Sequence, residues 1–535
     1  MNRICRLGVV GWCCLLMALE SYGQRVVRDY GKINGSLESN LGYFLKDKKM
    51  GITDVSKPFA VNTWLTLGYT LKVFRFGLQY ELYKPPLPGY FKELEGKKLM
   101  QGFTEYQDER LRVRIGNTYE QFGNGLIFRT YEDRSLGVNN SLLGVNVQWN
   151  PLDFLSLKAF VGKPRKFLGY TNARVYGMDG EVCFSDILRL PGGTYFVLGG
   201  SWVSRDDRTK ERLDLTPAVV NLYAGRFNFS RGIFSCGAEY VVKSKALYQD
   251  AGRGYQSLTG NALLVNMGLD IWGVGCSFEF RRLENMELRA DDRVDKISVA
   301  LNYLPCLTKQ HAYALAALYP HELEGIGEIG GQLDLFGEIP LGNSPLHYAV
   351  NGSMYRKLNV RDAEAFKYHF LNIDGDLLFG EIGATLSRTW GKSWEMTLAF
   401  IKRKKPEFST YGFGEMMVNS EIVIGDVLCK FTPNISLRVE LQHLSSDSRD
   451  DRRWAMGGVE LGVAPHWVFW GRDMYNYRSA KESIHYFSIG GSFVWKNLRS
   501  SLSYGRNRAG MQCLGGICRY VPEYSGFNML LTLTL

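Results

Sequence analysis

The chain has 535 residues, 45% hydrophobic and 13% aromatic, with 59 glycines against 16 prolines and a formal net charge of +10. That length admits two or three soluble domains or one large closed β structure. The positive excess is dispersed, which argues against the concentrated basic face of a nucleic-acid binder, and past residue 23 no stretch reaches the roughly 18 to 20 apolar residues of a membrane helix.

The first segment sets Arg3 and Arg6 ahead of an apolar run from Leu7 to Leu19, followed by Ser21-Tyr22-Gly23. This is the pattern of a cleavable secretory signal over residues 1–23. It leaves 24–535, starting at Gln24, as one mature domain. Cys13 and Cys14 sit too deep in the apolar run to serve as a lipoprotein anchor. Between Gln24 and the first strand signal near Ile33 there is no room for the N-terminal plug domain of a TonB-dependent transporter.

From there on the chain repeats a period of two. In FRFGLQYEL, Phe74, Phe76, Leu78, Tyr80 and Leu82 alternate with Arg75, Gly77, Gln79 and Glu81. KISVALNY does the same with Ile297, Val299, Leu301 and Tyr303, and ISLRVELQ with Ile435, Leu437, Val439 and Leu441. Such alternation is the signature of a strand, whose successive side chains point to opposite faces. Similar stretches fall near 61–69, 111–117, 143–149, 153–161, 232–242, 274–280, 394–401, 485–495 and 498–505, with polar or glycine-rich turns between them. The last, GFNMLLTLTL, sets Phe527, Met529, Leu531, Leu533 and Leu535 on one face against Asn528, Thr532 and Thr534.

A soluble sandwich also alternates, so the question is which solvent the apolar face meets. The export signal, aromatics near strand ends, polar faces of Arg, Glu, Gln and Gly, and a closing strand that is apolar outward all favour lipid. A bilayer accepts only helices or closed barrels. The fold class expected is all-β: a large transmembrane antiparallel up-and-down β-barrel of about 18–24 strands, allowing roughly 9 to 11 residues per strand plus connections, in a bacterial outer membrane.

Two stretches carry a resemblance. GNTYEQFGNGLIFRTYEDRSLGVNNSLLGV (116–145) and YGRNRAGMQCLGGICRYVPEYSGFNMLLTLTL (504–535), with YPHELEGIGEIGGQLDLFGEIP (319–340), are similar to an uncharacterised family of outer-membrane β-barrels from the Bacteroidota. The resemblance implies location and architecture. It implies no activity, so it supplies no catalytic residue.

Candidate chemistry is sparse. In CLGGIC, glycines at 515 and 516 signal a two-residue hairpin that sets Cys513 opposite Cys518. A structural disulfide is the expected state in an oxidising envelope; a reduced pair, a zinc half-site or a redox pair are the alternatives, though no second ligand pair lies nearby. The glycines of FGNGLIF (122–128) read as a bend or bulge in a barrel strand. Arg110, Arg112 and Arg114 alternate with Leu111, Val113 and Ile115, which would place three arginines on the lumen wall as an anion filter; pairing with Glu105, Asp108 or Glu109 would make them wall stiffeners instead. The seven histidines are scattered, HLSSDSRDD (443–451) reads as a polar loop, and no hydrolase motif is present. No enzyme, cofactor or metal is expected.

The expected function is a porin-like passive channel for small hydrophilic solutes. The alternative is a non-conducting barrel acting as a scaffold or subunit of an envelope or secretion assembly. Expected partners are outer-membrane lipid, the barrel-assembly machinery during biogenesis and envelope proteins, with no nucleic acid. Residues 84–100 and 304–326 are long enough to fold inward or to dock a partner.

Overall fold

Alternation becomes architecture through the register. The computed structural model describes residues 30–535 apart from 209–216, 251–253, 295–296, 324–326, 364–365, 409–414, 449–451, 480–482 and 515–516; the expected signal over 1–23, Gln24, and Gly515 and Gly516 lie outside the described residues. In the strand Phe74–Tyr83, Phe74, Phe76 and Leu78 are 43%, 40% and 49% exposed, whereas Gln79 and Glu81 are 5% and 0% exposed. The apolar set faces out and the polar set faces in. The same division holds for Ile435–Ser446, where Ile435, Val439 and Leu441 are exposed and Gln442 is buried.

The described residues form a closed barrel of 24 antiparallel strands, the upper end of the expected range. Each strand pairs with its neighbours in the chain, so the topology is a continuous meander. Closure is made by Lys32–Leu45, which pairs with Phe59–Leu71 on one edge and with Tyr524–Thr534 on the other, from Ser36 opposite Thr534 to Leu45 opposite Ser525. A closed ring leaves no open strand edge. Phe527, Met529, Leu531 and Leu533 alternate along the closing strand opposite Tyr43, Leu41, Ser39 and Leu37. Leu535 follows it and donates its backbone N–H to the Gly35 carbonyl at 2.8 Å.

The two rims differ. At one, the connections are mostly two- or three-residue turns such as 72–73, 272–273, 391–393 and 496–497. Trp272 and Gly273 have φ of 53° and 79°, the left-handed pair of a hairpin turn that matches the twist of its strands. Exposed Trp149, Trp390, Trp394, Trp467 and Trp495 stand on strands close to these turns. At the other rim the connections are long, among them 84–95, 119–141, 285–327, 358–376 and 508–523.

Three expectations are corrected here. Ile297, Val299, Leu301 and Tyr303 belong to no barrel strand: Ile297–Val299 is a turn of 3-10 helix within the connection 285–327, and Val299 and Leu301 are fully buried. Their apolar partners lie inside the barrel, and alternation cannot tell those from lipid. FGNGLIF is likewise no bend in a wall strand. It lies in the connection 119–141, where Gln121–Phe122 pairs with Phe128–Arg129 and Gly123 and Gly125 take φ of 52° and 89°. HLSSDSRDD is only partly a loop: His443 to Ser446 end the strand Ile435–Ser446, while Asp450 and Asp451 lie outside the described residues.

Candidate functional site: the lumen and the segments folded into it

Twenty-four strands spaced about 4.8 Å apart and tilted about 40° would close a ring roughly 48 Å across. Side chains alone do not fill such a lumen, and two connections fold into it. Phe122, Leu126, Ile127 and Phe128 of 119–141 and Met286, Leu288, Val299 and Leu301 of 285–327 pack together against inward wall residues such as Phe160, Val203, Leu222 and Val241. The second connection runs on to another part of the wall, where Leu315 and Ala316 pack on Ile401, Ile422, Leu444 and Trp454. Apolar residues therefore appear on inward wall positions where a segment lies over them, and polar ones elsewhere.

The two segments are stitched to each other by backbone polar groups. The Asn302 amide donates across to the Leu126 carbonyl at 3.0 Å and within its own segment to the Met286 carbonyl at 2.8 Å, Asn140 donates to the Ala300 carbonyl at 2.6 Å, and the Tyr303 N–H donates to the Gly125 carbonyl at 2.9 Å. Asn302 is 5% exposed, and its bonds answer carbonyls that no strand ladder satisfies. Gly123 allows a close approach to the wall: a Cβ there would sit 2.7 Å from the Glu239 carboxylate, which accepts from the Asn124 N–H and side-chain amide at 2.8 Å each.

Charged clasps fix 285–327 to the wall. Arg205 grips Asp292 with two hydrogen bonds of 2.5 Å, and Lys166 meets Asp291 at 2.6 Å. His321 meets Glu328 at 2.9 Å and His311 meets Glu381 at 2.7 Å; each carboxylate is also held by a wall arginine, Arg281 at 2.6 Å and Arg403 at 2.7 Å. Such buried pairs position the segment more than they stabilise it, since desolvation offsets most of their attraction. Burial works against the Asp291 carboxylate, but bonds from Arg293 and Lys166 outweigh it and hold its pKa well below the usual range. A carboxyl with a depressed folded-state pKa stabilises above its unfolded value and loses that contribution as pH falls through the folded one. This clasp therefore holds at neutral pH.

The arginines singled out in the sequence separate. Arg112 and Arg114 sit on the strand Leu111–Thr118 and reach Glu105 at 2.8 and 3.7 Å, with Arg75 on the same carboxylate at 3.5 Å. Arg110 lies in the preceding turn and donates to the Pro151 carbonyl at 3.3 Å. Glu105 is 2% exposed and collects three guanidinium groups.

Cys513 and Cys518 form a disulfide across a hairpin in which Gly510–Leu514 pairs with Ile517–Val521. This hairpin is a separate two-stranded sheet inside the connection 508–523, not a pair of wall strands, so it precedes the closing strand without joining the barrel. Met511, Ile517 and Cys518 line a cavity of about 250 Å³ together with Tyr131, Leu304 and Cys306 of the two inward segments. Three connections thus meet inside the barrel.

Cys306 is a free thiol, 5% exposed. Burial, aided by the Glu328 carboxylate, pushes its pKa up to about 12. At pH 8.5, where an ordinary thiol is about half ionised, iodoacetamide should leave Cys306 unmodified in the folded protein and modify it fully in urea. Peptide mass spectrometry reads this directly; rapid labelling of the folded protein would contradict the packing described.

The class these features define is a closed 24-strand antiparallel β-barrel with its own connections folded into the lumen. The chain belongs to DUF6029, a family of unknown function whose model matches residues 4–535. No curated protein matches it. Among solved structures it is similar to the siderophore receptor PirA from Pseudomonas aeruginosa, with 11% identity and a TM-score of 0.41 over 94% of this chain and 80% of that one. It is also similar to Pseudomonas aeruginosa OccK3 (OpdO), at 10% and 0.34 over 97% and 99%. The P pilus usher (PapC) translocation pore is a third, at 8% and 0.41 over 94% and 99%. At these identities and scores the likeness carries no argument about cargo or partner.

Proposed function

We propose that this chain is an outer-membrane channel of the Bacteroidota that passes small hydrophilic solutes passively through a lumen narrowed by 119–141 and 285–327. Lipid on the outside is supported by the exposed apolar face, which is too extensive for water, and by the exposed tryptophans near the short-turn rim, as in an interfacial girdle. Short turns would then face the periplasm and the long, inward-folding connections the cell exterior.

One observation carries the channel reading. The buried apolar clusters in the lumen take none of their buried residues from His485–Trp495, Leu498–Asn507, Tyr524–Thr534 or Lys32–Leu45, and Tyr486, half-buried at the end of the first, packs on one of them. There Ser488, Ser501, Ser503 and Asn528 line a cavity of about 310 Å³, together with Leu87 and Leu530. A solute path runs along this side, past the packed segments.

Purified protein in a planar bilayer tests the reading: stepwise ohmic conductance is expected. A folded barrel that inserts without conducting would overturn it in favour of a scaffold in an envelope assembly, a role the densely packed lumen would also suit.

A further inference from the structure

The cavity beside the closing seam has a chemical bias. It is lined by Arg472 and Arg506 together with Ser488, Ser501, Ser503, Asn507, Asn528 and Asn40. Arg506 is committed: it donates to Asp47 at 2.6 and 3.1 Å and to the His485 carbonyl at 3.2 Å. Arg472 is different. Among the described residues its exposed guanidinium has no ion pair and no hydrogen bond, whereas Arg112, Arg114, Arg165, Arg205, Arg226 and Arg281 on the inward wall are each paired with a carboxylate.

The register explains why Arg472 is left without a counter-ion. Its partners across the ladder are Gly458 and Ser488. Beyond Gly458, the Glu440 carboxylate is already held by Arg438 at 3.5 Å and accepts from Gln442 at 2.5 Å. Asp473 points to the opposite face, where it holds His485 at 2.5 Å. The connection above adds more positive charge: Arg508 lies over the rings of Tyr319 and Trp454, and Arg519 over Tyr90, at 5.5, 5.3 and 4.3 Å. Arg472 and Arg506 are the two guanidinium groups that line the cavity, and Asp47 is bonded to the second of them.

Below Arg472 the wall offers hydroxyls and amides on one inward face. Ser488 stands beside it, and Ser503 lies between Gly490 and Asn528. Gly505 lines the cavity, whereas Gly490 is covered by the Trp470 ring, which a Cβ there would approach to 2.5 Å. An arginine fork matches an oxyanion with two parallel hydrogen bonds, while serine and asparagine side chains exchange bonds with hydroxyls.

We propose that this cavity is a binding subsite for a small polyhydroxylated oxyanion, of the sugar-acid or sugar-phosphate class, with Arg472 holding the anionic group and Ser488, Ser501, Ser503 and Asn528 the hydroxylated body. The inference deepens the channel reading and rests on it for access from solution. A neutral sugar would lose the arginine contact, and an inorganic cation would be repelled.

The test is calorimetric titration of the full-length barrel in detergent with gluconate, glucose 6-phosphate and glucose. At least one of the two anions should bind wild type, and which of them binds separates carboxylate from phosphate. Glucose should bind about tenfold or more weakly, the worth of one charge-assisted contact. Arg472→Gln should weaken the anion by a similar factor and Arg472→Lys should recover part of it, with barrel folding checked by retarded mobility on unheated gels. Anions that do not bind, glucose that binds equally well, or a folded Arg472→Gln protein of unchanged affinity would each overturn the subsite. Conductance of the same preparations keeps the two readings apart: a conducting barrel without anion binding sinks the subsite alone, and a non-conducting barrel that binds the anion through Arg472 sinks the channel alone.

Discussion

Glu81→Ala should lower the barrel's unfolding free energy by about 3–5 kcal/mol, the usual consequence of stranding one member of a buried ion pair. Arg165 and Glu81 are 1% and 0% exposed and meet through two parallel hydrogen bonds of 2.6 Å. Glu81 is also the acceptor for Gln79 at 3.2 Å and for the Tyr83 hydroxyl at 3.0 Å, and Tyr83 in turn accepts from the Trp64 indole at 3.1 Å. Removing the carboxylate leaves a buried guanidinium without its counter-ion. The control is the double variant Glu81→Leu with Arg165→Met, which deletes both charges and should lose much less. Urea midpoints in detergent measure both. An alanine variant as resistant as wild type would mean that solvent reaches Arg165.

The wall was legible because lipid and lumen impose opposite polarities on alternate residues. Phe74, Phe76 and Leu78 against Gln79 and Glu81 read as a strand between two environments of opposite polarity, and GFNMLLTLTL alternates in the same way. The rule fails where the lumen is itself apolar. Val299 and Leu301 alternate as a wall strand does, yet they point into a packed interior made by Val203, Leu222 and Val241. Nothing local in KISVALNY separates those two environments.

The inward segments were visible only as length. Residues 84–100 and 304–326 were long enough to fold inward, but 119–141 was hidden by an apparent strand pattern around FGNGLIF. The signal available was its pair of glycines five and three residues before Phe128, a turn too tight for a wall strand. Arg472 was missed for a plainer reason. Charge on a strand is common, and what distinguishes this arginine is the absence of a carboxylate across the ladder, which depends on the register that sets it between Gly458 and Ser488. Arg112 and Arg114 carried two readings in the sequence, an anion filter or wall stiffeners, and they share Glu105, one of the three carboxylates named for the second.

Replacing residues 287–323 by a short glycine-serine linker should raise single-channel conductance by roughly an order of magnitude, because 24 strands enclose a lumen far wider than a small solute needs. This segment supplies Leu288, Val299 and Leu301 to one packed cluster and Leu315 and Ala316 to the other, so its loss opens the region between two parts of the wall. The ring itself should survive, since every strand keeps both ladder partners and the seam between Lys32–Leu45 and Tyr524–Thr534 is untouched. Stability should fall as Val203, Leu222, Ile401 and Leu444 become wet, so retarded mobility on unheated gels has to accompany the recording. The contrast with Glu81→Ala is diagnostic: that change weakens the wall and leaves the path width alone, whereas the excision widens the path. A folded excision variant with wild-type conductance would show that 285–327 does not narrow the route, and would move the constriction to the seam side, where 84–95 and 508–523 meet.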